Sequence, residues 1–258
     1  DLIWSATYDS SATDVDGKKY LKHSIVSRIS TLDRDADGLV DHLYFGDLGG
    51  QIFRIDLNNN ATTSSALGKR VTRLANLASA ITDAGYTSSN TYLDSNAPRF
   101  YEPVTVTIHD EGGKTFIVVG AASGDRSTPL DVAPTIGREG MLPSTALSTK
   151  PVNNVYGIID ADFATKDLIT GTPTLTTVNK TLVDLIRNPQ VVPLATTNVV
   201  NRFILNGVMQ KFGWYRSLSS LYDGTEKANN SFRREGGLKA FEEPVALTNH
   251  LLVSVYDP

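Results

Sequence analysis

The chain has 258 residues and a mass of 27.9 kDa, which is long enough for one large all-β domain with a sizeable core. Hydrophobic residues make up 40% and charged residues 20% of the chain, so extensive disorder and fibrous repeats are excluded. The 24 Lys and Arg residues against 28 Asp and Glu residues give a net charge of -4. This balance leaves no basic surplus to neutralise phosphates, and we expect no nucleic-acid partner.

The sequence lacks cysteine and lacks a long apolar run, and each of these facts excludes a class of site or segment. The chain contains no cysteine, which removes disulfides, thiolate nucleophiles and cysteine zinc sites. The longest apolar run, residues 116–122, is far shorter than the roughly 20 residues that cross a bilayer, so we expect no transmembrane segment. Because the sequence begins at Asp1 without a leader, we expect a mature product or a piece of a longer protein, with residues 1–258 in one domain.

Short bursts of β-branched and aromatic residues alternate with turn-forming Gly, Pro, Asn and Asp clusters along the chain, which predicts a mostly β fold. The predicted strands lie at residues 24–31, 42–46, 51–57, 104–108, 115–121, 154–160, 245–248 and 251–256. One helix is predicted at residues 180–187, where Leu182, Leu185 and Ile186 share a face, and a weaker one at residues 70–81.

Internal repeats suggest how these strands are organised. The sequence F-Y-E-P-V-T-V at residues 100–106 recurs as F-E-E-P-V-A-L at residues 241–247, and a polar turn and an apolar run follow each copy. We therefore expect a hairpin after each copy. Three apolar stretches also end in aspartate, at Asp56, Asp160 and Asp257. The pattern predicts stacked four-stranded blades of a partial β-propeller with inserted loops, and the alternative is an irregular β-sandwich.

The strongest local motif is D-R-D-A-D-G-L-V-D at residues 33–41. Carboxylates at Asp33, Asp35 and Asp37 converge when the chain curls, and Gly38 permits the sharp turn. Leu39 would add its backbone carbonyl, and Asp41 would replace the glutamate that closes a longer EF-hand loop. The spacing predicts a Ca²⁺ site with these five ligands. The alternatives are a metal-free turn with capping aspartates and a magnesium site, which demands stricter octahedral geometry.

No catalytic constellation stands out. His23, His42, His109 and His250 are scattered, and no serine lies in a nucleophile elbow. We therefore expect a protein that is not an enzyme, with structural roles for these histidines. We likewise expect a structural role for Asp125 and Arg126, core positions for Trp214 and Tyr215, a solvated pair at Arg233 and Arg234, and a simple hairpin turn at residues 14–17.

The loop and the strands after it, D-R-D-A-D-G-L-V-D-H-L-Y-F-G-D-L-G-G-Q-I-F-R-I-D-L at residues 33–57, resemble the C-terminal propeller of the PilY family of type IV pilus biogenesis factors and tip adhesins. The resemblance continues in R-F-Y-E-P at residues 99–103, G-A-A-S-G-D-R-S-T-P-L at 120–130, N-V-Y-G-I-I-D at 154–160, G-W-Y-R-S-L at 213–218, E-K at 226–227 and Y-D-P at 256–258.

This resemblance implies a modified seven-bladed, quinoprotein-like propeller of which the chain covers the later blades, with a calcium loop between two strands of one blade. It implies Asp33, Asp35, Asp37, the Leu39 carbonyl and Asp41 as ligands. It further implies export through the periplasm and outer membrane to the pilus tip on the cell surface. There, the protein would work with minor pilins, attach to host or abiotic surfaces, and support pilus extension, retraction and twitching motility. The Arg-Gly-Asp tripeptide of some members is absent, which leaves integrin attachment without support.

Two other function classes compete with this reading. A quinoprotein-type propeller enzyme shares strands that end in aspartate, but it would need a cofactor and charged catalytic groups at a central channel. An integrin-like lectin or adhesin would repeat the aspartate loop in several blades, and this chain has one such loop.

Overall fold

The computed structural model describes residues 2–78, 97–111, 113–127, 153–187, 203–205, 208–218, 238–247 and 250–256. The described part of the chain is all β apart from short 3-10 turns at Gly17–Tyr20, Ser64–Ala66 and Leu182–Asp184. Its strands are β1 (Ser30–Leu32), β2 (His42–Gly46), β3 (Gln51–Leu57), β4 (Gly68–Asn76), β5 (Thr105–Glu111), β6 (Lys114–Ala122), β7 (Asn154–Asp160), β8 (Ile186–Arg187), β9 (Ile204–Leu205), β10 (Val208–Met209), β11 (Gly213–Ser217), β12 (Lys239–Ala240), β13 (Val245–Leu247), β14 (His250–Leu252) and β15 (Val255–Tyr256). No helix within these ranges is long and apolar enough to cross a membrane.

The first sheet is a four-stranded antiparallel meander in the order β1-β2-β3-β4. On one face, Phe45 of β2 lies opposite Phe53 of β3, and their rings stack with centroids 5.3 Å apart. The other face packs toward the second sheet through buried Tyr44 and Ile52. A four-stranded meander is the unit that the predicted blades require.

The second sheet has the order β5-β6-β7-β11-β8 and collects strands from distant parts of the chain. The pairs β5–β6, β6–β7 and β7–β11 are antiparallel, and β8 adds to β11 in parallel. Buried Ile117, Val119 and Ile158 alternate along β6 and β7. Apolar side chains of both sheets form one shared core, so the two sheets are packed together.

The hairpins that the repeat predicted are confirmed. β5 pairs with β6 after the first copy of the repeat, and β13 pairs with β14 after the second. The two copies differ in burial, because Phe100 is fully buried whereas Phe241 is 39% exposed. The described strands form separate sheets and no closed ring, so the complete propeller stays a prediction.

Several local predictions are wrong. Residues 70–76 of the weaker helix lie in β4, and the rest of that helix reaches residues outside the described ranges. The predicted helix at residues 180–187 is a 3-10 turn followed by β8. The strand predicted at residues 24–31 is reduced to the start of β1, and the one at 251–256 is divided between β14 and β15.

The turn predicted at residues 14–17 is present, since the Asp16 N–H donates to the Thr13 carbonyl at 3.0 Å, but it does not join two strands as a hairpin would. Asp16 instead caps the 3-10 turn Gly17–Tyr20, and its carboxylate accepts a hydrogen bond from the Lys18 backbone N–H at 2.9 Å. Aspartate favours a cap for the same reason that it favours a turn, because its short side chain reaches nearby backbone donors.

Candidate metal centre

Residues 33–41, here called the cation loop, connect β1 to β2 at one end of the first sheet. The two strands are paired from Ser30 opposite Tyr44 to Leu32 opposite His42. The Asp41 backbone N–H extends this pairing by donating to the Leu32 carbonyl at 3.0 Å. The ends of the loop are therefore fixed by the sheet, and only its conformation between them is free to vary.

Three of the predicted ligands converge. Asp33, Asp35 and Asp37 each offer a carboxylate oxygen, and these oxygens lie within 4.8 Å of one another. Two oxygens that bind the same Ca²⁺ at about 2.3 to 2.6 Å lie at most about 5 Å apart, so the trio can share one ion. Asp33 is half-buried, whereas Asp35 and Asp37 are exposed.

Backbone donors inside the loop produce this convergence. The two carboxylate oxygens of Asp33 accept hydrogen bonds from the N–H groups of Ala36 at 2.7 Å and Gly38 at 2.8 Å. Asp37 accepts from the Leu39 N–H at 2.8 Å. Ala36 and Gly38 adopt positive φ angles of 61° and 90°. These turns fold the chain around the Asp33 carboxylate.

Asp41 lies at the base of the loop and outside the converging trio. Its side chain is buried, and its Oδ2 accepts a hydrogen bond from the Arg34 N–H at 2.8 Å. Leu39 lies in the loop with its side chain 51% exposed. The ligand roles of Asp41 and of the Leu39 carbonyl stay predictions.

Asn59 is a supporting residue that the sequence does not reveal. It follows β3, and its Nδ2 donates to the Val40 carbonyl and to Asp41 Oδ1, both at 3.1 Å. Its only sequence signal is an Asn-rich turn at residues 58–60. Such a turn indicates a loop but does not identify a residue that braces another loop.

The donor set fits a hard cation. Carboxylate oxygens are the ligands that Ca²⁺ prefers, and three negative charges this close repel one another unless a cation is present. Asp33, Asp35 and Asp37 would hold the ion, which would supply positive charge and cross-link the loop. The same geometry in the absence of a metal is a series of aspartate-capped turns.

A buried ionic cluster lies beside the loop, where the two sheets meet. Its members are buried side chains that pair with one another: His42, Tyr44, Arg54, Asp56, Asp160 and, at its edge, Arg70. Arg54 is at the centre, since its Nε donates to Asp56 at 2.7 Å and its Nη1 to Asp160 at 2.5 Å. Asp56 is the penultimate residue of β3 and Asp160 is the last residue of β7, so Arg54 joins the two sheets.

The remaining members complete the hydrogen bonding of these carboxylates. His42 Nδ1 lies 2.9 Å from Asp56 Oδ1, and the Tyr44 hydroxyl donates to Asp160 at 3.1 Å. His42 directly follows Asp41, so the cation loop and the cluster are consecutive along β2. The His42 ring is fully buried in a strand, in keeping with the structural role expected for it.

The charges of the cluster perturb its titration. Burial raises the pKa of Asp56, but the hydrogen bond with His42 and the charge of Arg54 outweigh it and hold that pKa below the usual 3.8. Burial, together with the Asp160 charge, raises the pKa of the Tyr44 hydroxyl well above 10.0. Asp56 is therefore stabilised as a carboxylate and Tyr44 as a neutral phenol. Because Arg54 and both carboxylates are fully buried, the centre of the cluster is a structural joint that solvent does not reach.

Other residues singled out by sequence occupy separate places. Asp125 pairs with Arg99 at 3.5 Å, and Arg126 pairs with Glu102, so each has a partner in the first copy of the repeat or next to it. Tyr215 is buried in the core as expected. Trp214 is only half-buried and lines a cleft of about 530 Å³ between the β5–β6 and β13–β14 hairpins. Arg233 and Arg234 lie outside the described residues.

Comparisons with known proteins find likeness among solved structures. No family model and no curated protein matches the chain. Among solved structures, the chain is similar to the crystal structure of the Pseudomonas aeruginosa PilY1 C-terminal domain, with 18% sequence identity and a TM-score of 0.48. The match covers 89% of this chain and 44% of that one, so this chain spans less than half the length of that structure.

Proposed function

We propose that this chain is a non-enzymatic, calcium-binding β-propeller module of a type IV pilus-tip protein. The observation that carries the calcium assignment is the convergence of the Asp33, Asp35 and Asp37 carboxylates within 4.8 Å at one end of the first sheet. Calcium is favoured over magnesium because it accepts several carboxylates in flexible geometry.

The pilus assignment is supported by the sequence motifs shared with the PilY family, above all the run at residues 33–57. The pilus assignment includes the partners and the location that the resemblance implies. The partners are minor pilins and host or abiotic surfaces, and the location is the pilus tip. In this proposal, calcium closes the loop between β1 and β2 and fixes the end of the first sheet. Occupancy of the loop then tunes how the module supports pilus extension, retraction and adhesion.

Calcium binding is tested by calorimetric titration of the chelator-stripped chain and of an Asp35→Asn variant. Asp9→Asn is a matched control, because Asp9 is also exposed and accepts a hydrogen bond from the N–H two residues ahead, as Asp35 does. We expect one-to-one binding in the wild type and the control, and none in Asp35→Asn. A wild-type chain that binds no calcium at millimolar concentration would refute the calcium assignment.

The Asp41 ligand assignment needs its own variant. Asp41→Asn keeps an oxygen that can accept from the Arg34 N–H but removes the negative charge. If Asp41 is a ligand, calcium affinity should fall at least tenfold or be lost, as we expect for Asp35→Asn. If Asp41 only braces the loop, calcium affinity should fall by less than about fivefold, as we expect for Asn59→Ala.

The pilus assignment is tested in bacteria. The full-length protein carrying Asp35→Asn would be expressed in a pilus-forming strain that lacks its own copy, beside the wild-type and Asp9→Asn proteins. We expect surface pili and twitching to be impaired by Asp35→Asn alone. Equal piliation with and without the protein would overturn the pilus role. Binding of a quinone cofactor to the chain, together with oxidation of an alcohol by the loaded protein, would instead support the enzyme alternative.

A further inference from the structure

A segment after β7 docks on the first sheet beside the cation loop. Residues 162–171, here called the strap, follow Asp160 at the end of β7 and contain no strand. The Arg34 side chain reaches the strap from the loop. Its Nη1 donates to the Lys166 carbonyl at 3.3 Å, and its guanidinium lies 5.2 Å from the centre of the Phe163 ring. Arg34 is therefore a direct contact between the loop and the strap.

Two cationic side chains of β4 hold the other end of the strap. Lys69 Nζ donates to the Thr170 carbonyl at 3.0 Å. Arg70 donates to the carbonyls of Gly171 at 3.0 Å and Leu168 at 3.3 Å. Including the Lys166 carbonyl, four backbone carbonyls of the strap accept hydrogen bonds from three cationic side chains of the first sheet or its loop.

The strap has an ordered shape of its own. The carboxylate of Asp162 accepts hydrogen bonds from the N–H groups of Thr176 and Thr177 at 2.7 to 2.8 Å, which ties the start of the strap to the chain after its end. Hydrogen bonds from the Thr170 hydroxyl and N–H lower the pKa of Asp167 to about 2. Asp162, Phe163 and Leu168 are buried and anchor the strap, so only its exposed residues can loosen without disturbing the core.

The contact made by Arg34 depends on the loop more directly than the contacts made by β4. Arg34 lies between Asp33 and Asp35, and its N–H donates to Asp41. If the loop opens, the Arg34 backbone moves and its side chain leaves the strap. Lys69 and Arg70, by contrast, lie in a paired strand. The buried Arg54–Asp160 pair would keep the two sheets joined in either state.

We propose that the cation loop controls the docking of the strap through Arg34, so that calcium occupancy orders the exposed part of residues 162–171 on the first sheet, and calcium loss loosens that part while Phe163 and Leu168 stay buried. This inference rests on the proposed calcium site. The calcium-responsive surface then extends beyond the loop to the exposed strap side chains of Ala164, Thr165, Asp167 and Thr170. Arg34 is a positioning residue in this scheme, because it carries the effect without binding the ion.

Binding linkage makes the coupling reciprocal. If calcium favours the docked strap, the docked strap raises calcium affinity by the same factor. Couplings between sites commonly amount to 5- to 150-fold, and a coupling carried by one part-buried side chain belongs at the low end. We therefore expect calcium to slow hydrogen exchange in the strap about fivefold.

Hydrogen exchange of peptides covering residues 33–41 and 162–171, with calcium or with a chelator, tests the proposal in the wild type, Arg34→Gln and Arg28→Gln. Arg28 is the control, since it is exposed and pairs with Glu243. The wild type and Arg28→Gln should show calcium-dependent protection in both segments. Arg34→Gln should still bind calcium by calorimetry and protect the loop, but its strap should no longer respond.

Three outcomes would overturn the inference, and they identify which proposal fails. A wild-type chain that binds calcium without slower exchange in the strap would refute the coupling and leave the metal site standing. A full strap response in Arg34→Gln would refute the role of Arg34. Absence of calcium binding in the wild type by calorimetry would refute the proposed metal site, and the strap proposal with it.

Discussion

Arg54 and Asp160, which are 106 residues apart in sequence, form a fully buried ion pair with Nη1 and Oδ2 separated by 2.5 Å. This pair joins the end of β7 to the middle of β3. Asp160 belongs to the repeated apolar-Asp pattern, as does Asp56, the other carboxylate bound by Arg54. The repeat therefore supplies two carboxylates to one guanidinium at the junction between the sheets.

Replacing the central arginine should destabilise the protein strongly. Arg54→Met leaves the buried Asp160 carboxylate with the Tyr44 hydroxyl as its remaining side-chain donor among the described residues. Breaking a buried pair costs about 3 to 5 kcal/mol of the free energy of unfolding. Arg28→Met should cost less than about 1 kcal/mol, because the Arg28–Glu243 pair is exposed. Urea denaturation checks both variants, and equal losses would contradict the structural role of Arg54.

Acid should weaken the same junction. The pKa of Asp56 in the folded protein lies below 3.8, because the His42 hydrogen bond and the Arg54 charge outweigh the effect of burial. The contribution of Asp56 to stability is therefore fully present above about pH 4 and is lost as pH falls below 3.8 toward the lower folded pKa. In urea denaturation between pH 5 and 3, Asp56→Asn should be less stable at pH 5 and lose less stability on acidification. An unchanged pH slope would contradict this assignment.

Gly38 and Gly113 form a matched pair for testing the loop. Both have positive φ angles, 90° and 74°, and an added Cβ at either position would meet nothing within 4 Å. Each change to alanine should therefore cost about 1 to 2 kcal/mol of unfolding free energy through backbone strain alone. We expect only Gly38→Ala to weaken calcium affinity, by about tenfold, because Gly113 lies in the β5–β6 turn. Equal affinity in the two variants would show that calcium binding does not need the Gly38 conformation.

Asn59 should stabilise the base of the cation loop. Asn59→Ala removes the hydrogen bonds to Val40 and Asp41, and should lower the free energy of unfolding by about 1 to 2 kcal/mol. Calcium affinity should fall by less than about fivefold, since the three converging carboxylates remain. Asn60→Ala is the control because Asn60 is an exposed neighbour in the same turn. Thermal melts and calorimetry of the two variants test this, and indistinguishable melts would contradict a bracing role.

Chelation should lower the melting temperature of the wild type. A ligand at about 100 times its dissociation constant stabilises the folded state by about 2.7 kcal/mol. For a domain of this size, that corresponds to a shift of about 5 to 10 °C. Asp35→Asn should melt at the same temperature with calcium and with chelator. A calcium-dependent shift that persists in Asp35→Asn would place the ion elsewhere in the chain.

The bounds of a strand could be predicted from the sequence wherever the order of apolar and polar residues agrees with the burial of the same residues. β2, β3 and β7 have the predicted bounds, because their apolar side chains pack on a sheet face without interruption. In β4, Val71, Leu74 and Ala75 are buried at a spacing that imitates a helix. The cause is a register shift, in which Ala75 pairs with Ile52 and Arg73 with Phe53, so that Leu74 is an extra residue. Only the partner strand decides between these two structures.

The sequence by itself determined the cation loop, because the aspartate spacing and Gly38 act within nine residues of chain and the hydrogen bonds from Ala36, Gly38 and Leu39 are local. The tertiary structure alone decided the place of Asn59, the docking of the strap on Arg34, and the meeting of Arg54 with Asp160. These contacts join residues 18 to 132 positions apart. No local propensity encodes them, since the Asn59 contact depends on strand pairing within the first sheet and the other two depend on how the two sheets pack around one shared core.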